Sequence, residues 1–343
     1  MASLIGVITS FVLAAWLTWR FCDPASRFHI LDHPNERSLH SQPTPRSGGL
    51  AIIAGVIAGL ALAMWRFGPV GNIVWLSLSL LLVATVSYID DRHNVPVGGR
   101  LAVHLVAACV LLWGGFSFRI LDLPGFEFSV STTLSGLLSL VFIVWMINLY
   151  NFMDGMDGFA GGMAVIGFGA FALLGWQAGN HLFMLLNLVT ASAAAGFLIF
   201  NFPPARIFMG DAGSSTLGLL AAAFALWGAR DGVFPFWIAV LIFSPFIIDA
   251  SVTLIRRMFR GEKIWQAHKT HYYQKLVQAG WGHRKTVLLE YAIMLGCGVT
   301  ALWGVHAPDK VQAVMLVVWI LFYSVFFFWV SRLAVRGNKA GTL

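Results

Sequence analysis

Runs of apolar residues, each long enough to approach a membrane span, dominate the chain. A spanning helix needs about 20 mostly apolar residues. Eleven runs approach that length, at residues 3–20, 49–66, 72–89, 101–117, 132–150, 159–176, 182–200, 214–229, 234–255, 287–305 and 311–331. The pattern predicts an all-α integral membrane protein with about eleven transmembrane helices. We find no separate soluble segment of domain size, so residues 1–343 are interpreted as a single polytopic domain.

Composition supports this fold class. Hydrophobic residues make up 58% of the chain and charged residues 11%, whereas soluble domains average about 45–50% and about 25%. The first apolar run has no basic residue before it and no small-residue cleavage site, and it ends in Trp19 and Arg20. That pattern is typical of a retained span rather than a removed signal peptide. The three cysteines show no pairing pattern or metal spacing, and we expect them to be buried hydrophobes.

The distribution of basic residues predicts the orientation. Eleven spans place the connections alternately on two sides of the membrane. The first side holds residues 20–48, 90–100, 151–158, 201–213, 256–286 and the tail from 332, with 18 of the 22 Lys and Arg residues, and the second side holds 4. Basic residues concentrate on the cytoplasmic side, which predicts an outside N-terminus and a cytoplasmic C-terminus. The net charge of +7 then reflects topology, and no nucleic-acid partner is expected.

The unusual polar clusters all fall on the predicted cytoplasmic side. The first is "YIDDRHNVPVGGR", in which Asp90 and Asp91 close the third span. Adjacent carboxylates repel each other unless a cation is present, and Mg²⁺ prefers one or two carboxylates together with substrate phosphate oxygens. A hydrated helix end that orients the span is the alternative.

The second cluster is "NLYNFMDGMDG", residues 148–158. Asn148, Asn151, Asp154 and Asp157 follow one another at three-residue steps. A helical continuation of the fifth span would place them on one face, and the glycines that follow Asp154 would let backbone or a ligand approach closely. We interpret the cluster as functional, because an ordinary turn needs only one or two such residues.

The third cluster is "NFPPARIFMGDAGSSTLG". Pro203 and Pro204 interrupt the chain after the seventh span, and "GDAGSS" opens the eighth. Free N–H groups at a helix N-terminus favour anions, which predicts a phosphate or metal–phosphate platform. Asp211 either belongs to that platform or caps the helix.

The fourth cluster is the basic loop 256–286. Arg256, Arg257, Arg260 and Lys263 serve either the charge asymmetry of the topology or anionic lipid headgroups. His268 and His271 are three residues apart on a segment predicted to be helical, as a phosphate-binding or acid–base pair would be.

Three other ionisable side chains are not assigned to the functional site. Asp249 lies inside the ninth span, where carboxylates are usually paired, and we favour a structural partner over a catalytic role. His104 is expected to be packed or interfacial, and His283 carries no separate signal.

Five segments together resemble the polyprenyl-phosphate N-acetylhexosamine-1-phosphate transferase family (glycosyltransferase family 4). "DHPNERSLHSQPTPRSGGLAI", "YIDD", "NLYNFMDGMDG", "NFPPARIFMGDAGS" and "HKTHYYQKL" occur in the family's order over nearly the whole chain. The resemblance implies transfer of a sugar 1-phosphate from a UDP-sugar to undecaprenyl phosphate, releasing UMP. It also implies Mg²⁺ (or Mn²⁺) as cofactor, membrane lipid around the site, a homodimer, and a bacterial inner-membrane location with a cytoplasmic active site. Such phosphoryl transfer needs charge neutralisation and positioning more than covalent chemistry.

The resemblance assigns roles by matching position. Asp211 matches a metal-binding aspartate, and Asp90 and Asp91 match a pair proposed for metal binding or for deprotonation of the acceptor phosphate. Asp154, Asp157, His268 and His271 match catalytic positions, the histidines near the donor diphosphate or sugar. The substrate-binding assignments are Arg46, Asn151, Asn201 and Phe208, the last as an aromatic ring that stacks on uracil.

Departures from the family pattern bear on the donor. Asn94 stands where many members carry a further metal carboxylate, and Tyr272 and Tyr273 follow His271 where others carry histidine. The "HxxHYYQ" form resembles initiating transferases of O-antigen synthesis that use UDP-N-acetylfucosamine or UDP-N-acetylquinovosamine. UDP-N-acetylglucosamine, as in common-antigen or teichoic-acid initiation, is the alternative donor. Outside enzymes, the rival is an ion-coupled transporter, whose site would lie near the bilayer midplane on broken helices.

Overall fold

A computed structural model describes residues 2–34, 38–68, 71–263 and 268–340. Parts of the predicted loops 20–48 and 256–286, residues 35–37 and 264–267, lie outside the described residues. The helices are α1 (Ala2–Phe21), α2 (Gly48–Phe67), α3 (Gly71–His93), α4 (Val97–Trp113), α5 (Thr132–Met153), α6 (Phe159–Gln177), α7 (His181–Asn201), α8 (Gly210–Arg230), α9 (Phe236–Ile242), α10 (Ser244–Phe259), α11 (Tyr272–Leu276), α12 (Gly282–Gly304) and α13 (Asp309–Ala340). A π-helical turn, Val277–Trp281, joins α11 to α12.

Strands are confined to two short antiparallel hairpins. The first pairs β1 (Leu31–Asp32) with β2 (Thr44–Pro45), and the second pairs β3 (Ile120–Leu123) with β4 (Phe126–Ser129). The predicted all-α membrane class is confirmed, with these hairpins as additions that the apolar runs did not indicate.

Each predicted apolar run contains helix. Within the described residues, nine helical segments are long and apolar enough to cross a membrane, or ten if the bent pair α9–α10 forms one span. Helix α4, also apolar, falls short of that length with 17 residues. The count of eleven spans and the orientation therefore stay predictions.

The ninth predicted span, residues 234–255, is wrong as one continuous helix. Helices α9 and α10 meet at a bend of 80°. Pro245, in the first turn of α10, has no N–H to donate to the carbonyl of Leu241, and its ring crowds that turn. The Ser244 hydroxyl donates to the Leu241 carbonyl instead, at 2.7 Å, so the broken turn leaves this acceptor satisfied.

Helix α8 forms the centre of the bundle. All of its residues from Ala212 to Gly228 are buried. Small residues make this possible by allowing neighbouring backbones to come close. A Cβ atom added to Gly49 of α2 would lie 2.2 Å from the backbone nitrogen of Gly213 in α8, so the two helices touch backbone to backbone. This contact positions the start of α2 against the start of α8.

We predict that Gly49→Ala destabilises the protein by about 1–3 kcal/mol, the usual cost of overpacking a rigid contact. The added methyl group meets backbone and cannot be relieved by a side-chain rotation. Thermal unfolding of the detergent-purified protein measures the effect. Gly136→Ala in α5 is the matched control, because nothing lies within 4 Å of its added Cβ atom. An unchanged melting temperature for Gly49→Ala would contradict the close contact.

Candidate active site

A pocket of about 270 Å³ opens at the end of the bundle where α3, α5 and α7 end and α2 and α8 begin. Each of the five predicted cytoplasmic loops contributes to its lining. Among the predicted site residues, the lining includes Arg46, Asp91, Asn151, Asp154, Asp157, Asn201, Phe208 and Asp211. The structure thus brings together residues that are up to 165 positions apart in the sequence. Three predicted site residues do not line this pocket as described, namely Asp90, His268 and His271.

The N-terminus of α8 holds a carboxylate of the protein itself. The backbone N–H groups of Asp211 and Ala212 each donate to the carboxylate of Asp91, both at 3.0 Å. Gly210 makes this approach possible, because its φ is +71° and an added Cβ would lie 2.9 Å from an Asp91 oxygen. The predicted phosphate platform at this helix end is therefore occupied by Asp91, and Asp211 does not act as the helix cap.

Arg100 lies between the other two carboxylates assigned to metal. One of its guanidinium nitrogens, Nη1, is 2.5 Å from Asp90 and 3.2 Å from Asp211. The second Asp90 oxygen accepts from the backbone N–H of Val95 at 2.6 Å. Sequence analysis missed Arg100, although it is the last residue of the "YIDDRHNVPVGGR" segment. Its position in the first turn of α4, shortly after Asp90 and Asp91 at the end of α3, could have indicated that it pairs with them.

Arg46 and Phe208 are positioned by a short backbone pairing. The N–H of Phe208 donates to the carbonyl of Pro45 at 2.6 Å, which sets the chain before α8 beside β2. The Arg46 guanidinium donates to the backbone carbonyl of Asp91 and lies 3.8 Å from an Asp32 oxygen. The ring of Phe208 meets that of His40 edge to face, with centroids 4.9 Å apart. Arg46 and Phe208, two of the four predicted substrate-binding residues, therefore border the pocket from the same wall.

The predicted helical continuation through residues 148–158 is wrong. Helix α5 ends at Met153, and Asp154 leaves helical geometry with φ −86° and ψ 53°. Asn148 faces away from the pocket, donating to the Val144 carbonyl and approaching His104. Asn151 donates to the Ser214 hydroxyl at 3.1 Å and borders the pocket. The turn, rather than a helix face, brings Asp154 and Asp157 to the same cavity.

Asp154 has the least satisfied carboxylate of this group. Within the described residues it accepts no hydrogen bond, and only its backbone N–H is bonded, to the carbonyl of Asn151. Its pKa is raised to about 8, chiefly by burial and also by the nearby charges of Asp211, Asp91 and Asp32. Such a cluster of carboxylates favours a bound cation, because a cation lowers the cost of ionising all of them.

Asp157 and Asn201 connect the loops that form one wall. One oxygen of Asp157 accepts from the backbone N–H of Ala205 at 3.0 Å, and the other lies 3.0 Å from Nδ1 of His283. Asn201 accepts from the N–H of Gly158 and donates to the carbonyl of Ile207. His283 was given no role from the sequence, since no local pattern links it to a residue in the turn before α6.

The histidine segment is anchored inside the bundle. His271 is the N-cap of α11 rather than part of a helix that includes His268, so the predicted helical spacing is wrong. The two histidine rings contact each other in a tilted arrangement, with centroids 4.7 Å apart. His271 is only 2% exposed, and its Nδ1 lies 3.2 Å from Asp249. Asp249 also accepts from the N–H groups of Tyr272 and Tyr273, at 2.9 and 3.1 Å, so the structural role predicted for it agrees with the contacts.

Comparison with known proteins decides the family. The model of glycosyl transferase family 4 matches residues 73–229. A decaprenyl-phosphate N-acetylglucosaminephosphotransferase of Mycobacterium leprae is 33% identical, over 92% of this chain and 86% of its own length. The chain belongs to glycosyl transferase family 4. The resemblance drawn from its motifs is thereby confirmed.

Other relatives in the family cover the chain similarly. A protein of Bacillus subtilis named a probable undecaprenyl-phosphate N-acetylglucosaminyl 1-phosphate transferase is 28% identical, over 94% of this chain and 91% of its own length. A phospho-N-acetylmuramoyl-pentapeptide-transferase of Geobacillus kaustophilus is 29% identical, over 86% of this chain and 95% of its own length. The similarity therefore spans nearly the whole bundle in each case.

The carboxylates of this family member differ in their freedom to hold a metal. Both oxygens of Asp91 are taken by the N-terminus of α8, whereas the side chain of Asp211 is 34% exposed and Asp154 faces the cavity. No group of three or more metal-type side chains is gathered within the described residues. One or two carboxylates completed by substrate phosphate oxygens is an arrangement that suits Mg²⁺.

We predict that Asp249→Ala releases the histidine segment. Hydrogen bonds to a charged acceptor contribute about 1.5–3 kcal/mol each, so exchange of the Tyr272 and Tyr273 amide hydrogens should accelerate by about tenfold or more. Hydrogen–deuterium exchange with mass spectrometry measures this directly.

Two variants control for general loosening of the bundle. Asp249→Asn keeps one carbonyl oxygen and should give an intermediate rate. Thr253→Val removes only the hydroxyl that donates to Asp249 at 3.1 Å and should leave both amides protected. Unchanged exchange in Asp249→Ala would show that the segment is held by other contacts.

Proposed function

We propose that this protein transfers an N-acetylated hexosamine 1-phosphate from a UDP-sugar to undecaprenyl phosphate and releases UMP. The observation that carries the proposal is the pocket itself, in which Asp154 and Asp211 present carboxylates beside Arg46 at one end of a membrane bundle. Relatives in the same family are named for polyprenyl-phosphate acceptors and N-acetylglucosamine phosphate donors. A lipid acceptor explains why polar chemistry sits where the helices end.

In phosphoryl transfer, some residues of the pocket would supply or neutralise charge, and others would hold those residues in position. In this proposal Asp211 and Asp154 would hold Mg²⁺ (or Mn²⁺) with donor phosphate oxygens, and the metal would supply positive charge to those phosphates. Arg46 adds a fixed cation at the pocket wall, and Arg100 adds a second one behind it, against Asp211. Asp90 binds Arg100, and Asp91 binds the N-terminus of α8. In this proposal these two aspartates therefore position Arg100 and α8.

Phe208 offers the aromatic face proposed for uracil.

The histidines act from the edge of the pocket in this proposal. His271 is buried against Asp249, and Gln274, three residues later, lines the cavity. Tyr273 donates to the carbonyl of Phe152, in the last turn before Asp154. The histidine segment thereby shapes the side of the pocket assigned to the donor sugar, and the His268 ring contacts that of His271.

Two kinds of donor sugar are proposed, one suggested by the histidine loop and one by the names of the relatives. The "HxxHYYQ" loop favours UDP-N-acetylfucosamine or UDP-N-acetylquinovosamine, as in O-antigen initiation, and the relatives named for N-acetylglucosamine favour UDP-N-acetylglucosamine. These donors differ at the sugar 6-position and, for fucosamine, in the orientation of the 4-hydroxyl. A pocket that hydrogen-bonds a hydroxyl strongly rejects analogues lacking it, so a donor panel separates the alternatives.

The location proposed for the reaction is the cytoplasmic face of a bacterial inner membrane. The excess of Lys and Arg at the pocket end supports this orientation. The same placement weighs against a transporter, since the pocket lies at helix ends rather than near the middle of the spans.

We predict that the purified protein, in mixed micelles with undecaprenyl phosphate, releases UMP from at least one UDP-N-acetylhexosamine when Mg²⁺ is present. Omission of the lipid, or chelation of the metal, should abolish release. Mass spectrometry of the lipid product identifies the sugar that was transferred. A folded protein that is inactive with UDP-N-acetylglucosamine, -fucosamine and -quinovosamine alike would overturn the proposal.

We also predict that Asp154→Asn and Asp211→Asn each lower turnover by about 10²–10³-fold or more, the range seen when one electrostatic contributor is removed. Each change keeps the shape of the side chain, so expression and melting temperature should survive. Asp23→Asn, an exposed position at the same end of the bundle but outside the pocket, is the control and should keep full activity. Full turnover in Asp154→Asn or Asp211→Asn would refute the role of that residue.

A further inference from the structure

A second, apolar groove runs along the side of the bundle between α10 and α13. Its volume is about 810 Å³. One wall is a single stripe of α10 and its C-cap, in which Ile248, Val252, Arg256 and Arg260 follow at steps of four residues. Twelve residues of helix extend about 18 Å. The groove is thus apolar over half its length and cationic at the end nearer the active-site face.

The opposite wall is mostly apolar and exposed on the side of the bundle. Phe327 and Phe328 of α13 line it together with Ile320. Ile320 and Phe328 are 63% and 62% exposed. Exposed apolar side chains on a membrane helix are ordinary, but here they border a concave surface that ends in two guanidinium groups. The combination fits a molecule with an apolar chain and an anionic head.

The cationic end is held in place from inside the bundle. Arg256 contacts the hydroxyl of Tyr272, and its guanidinium lies 5.3 Å from the centre of that ring. Lys275 lies 4.1 Å from the same ring centre. The Tyr272 ring is fixed in turn by stacking on Phe327, with centroids 3.8 Å apart. The arginine of the groove is therefore oriented and not a free surface side chain.

These cations have no carboxylate to neutralise them. Within the described residues Arg256, Arg260 and Lys275 form no ion pair. Asp249 acts on Lys275 electrostatically, but it is 4% exposed and committed to His271 and the start of α11. Arg256 and Arg260 are exposed at the groove mouth and therefore offer an anionic head a place that the protein itself leaves uncompensated.

The groove is separate from the candidate active site. Among the residues that the structure describes, none lines both cavities. An occupant of the groove is therefore not in the position of a reacting substrate. We propose that the groove binds an anionic phospholipid of the surrounding bilayer, with its phosphate at Arg256 and Arg260 and an acyl chain along Ile248 and Val252. Basic pockets between membrane helices bind such headgroups. This proposal does not rest on the proposed transferase function.

Binding of lipid to the full-length protein tests the proposal. Native mass spectrometry of the detergent-purified chain, titrated with phosphatidylglycerol or phosphatidylcholine, gives an affinity for each. We expect phosphatidylglycerol to bind about tenfold more tightly, and the preference to disappear in Arg256→Gln/Arg260→Gln. The matched control is Arg20→Gln/Arg27→Gln, which removes two exposed arginines of the same predicted membrane side outside the groove, and it should retain the preference.

A second variant tests the apolar half without changing charge. Ser324 lines the groove and is exposed, so Ser324→Trp should fold and should block the acyl chain, lowering phosphatidylglycerol binding at least fivefold. Equal binding of both lipids by the wild type, or an unchanged preference in both groove variants, would overturn the proposal. Displacement of phosphatidylglycerol by undecaprenyl phosphate at equal concentration would also overturn it, because the groove would then belong to the acceptor.

Discussion

The carboxylate of Asp91 at the start of α8 is the interaction on which the functional end depends. A buried charge is stable only when it is fully hydrogen-bonded, and Asp91, 4% exposed, accepts from two backbone N–H groups of α8. Because Arg46 donates to the carbonyl of the same residue, α3, α8 and the chain before α2 are fixed together. Asp211 and Phe208 flank this junction, so their positions follow from it.

The aspartates of the polar clusters fall into two physical kinds. Asp91, Asp157 and Asp249 each bind backbone N–H groups and hold loops or helix ends in place. Asp154 and Asp211 face the cavity with carboxylates that are less completely bonded. In the proposed function the chemistry of the pocket depends on the second kind, whereas its shape depends on the first.

Features that depend on neighbouring residues in the chain could be predicted from the sequence. Apolar runs predicted the helices, and the basic loops predicted which connections share one end of the bundle, where Asp91, Asp154 and Asp211 do meet. Pairings between distant residues were not predictable, since nothing near His283 indicates Asp157. The bend at Pro245 was missed because the apolar pattern continues across it. The end of α5 at Met153 was missed because the three-residue spacing of the polar residues after it also fits a helix.

Electrostatics constrains how a donor enters the proposed site. Asp154 has a pKa raised to about 8 by burial and by the charges of Asp211, Asp91 and Asp32, so the carboxylates of the pocket disfavour further negative charge. Arg100 is already committed to Asp90 and Asp211. A bare diphosphate would therefore be repelled by the carboxylates, whereas a diphosphate carrying a divalent cation brings the charge they lack. We accordingly expect the cation and the donor to bind together, each raising the affinity of the other.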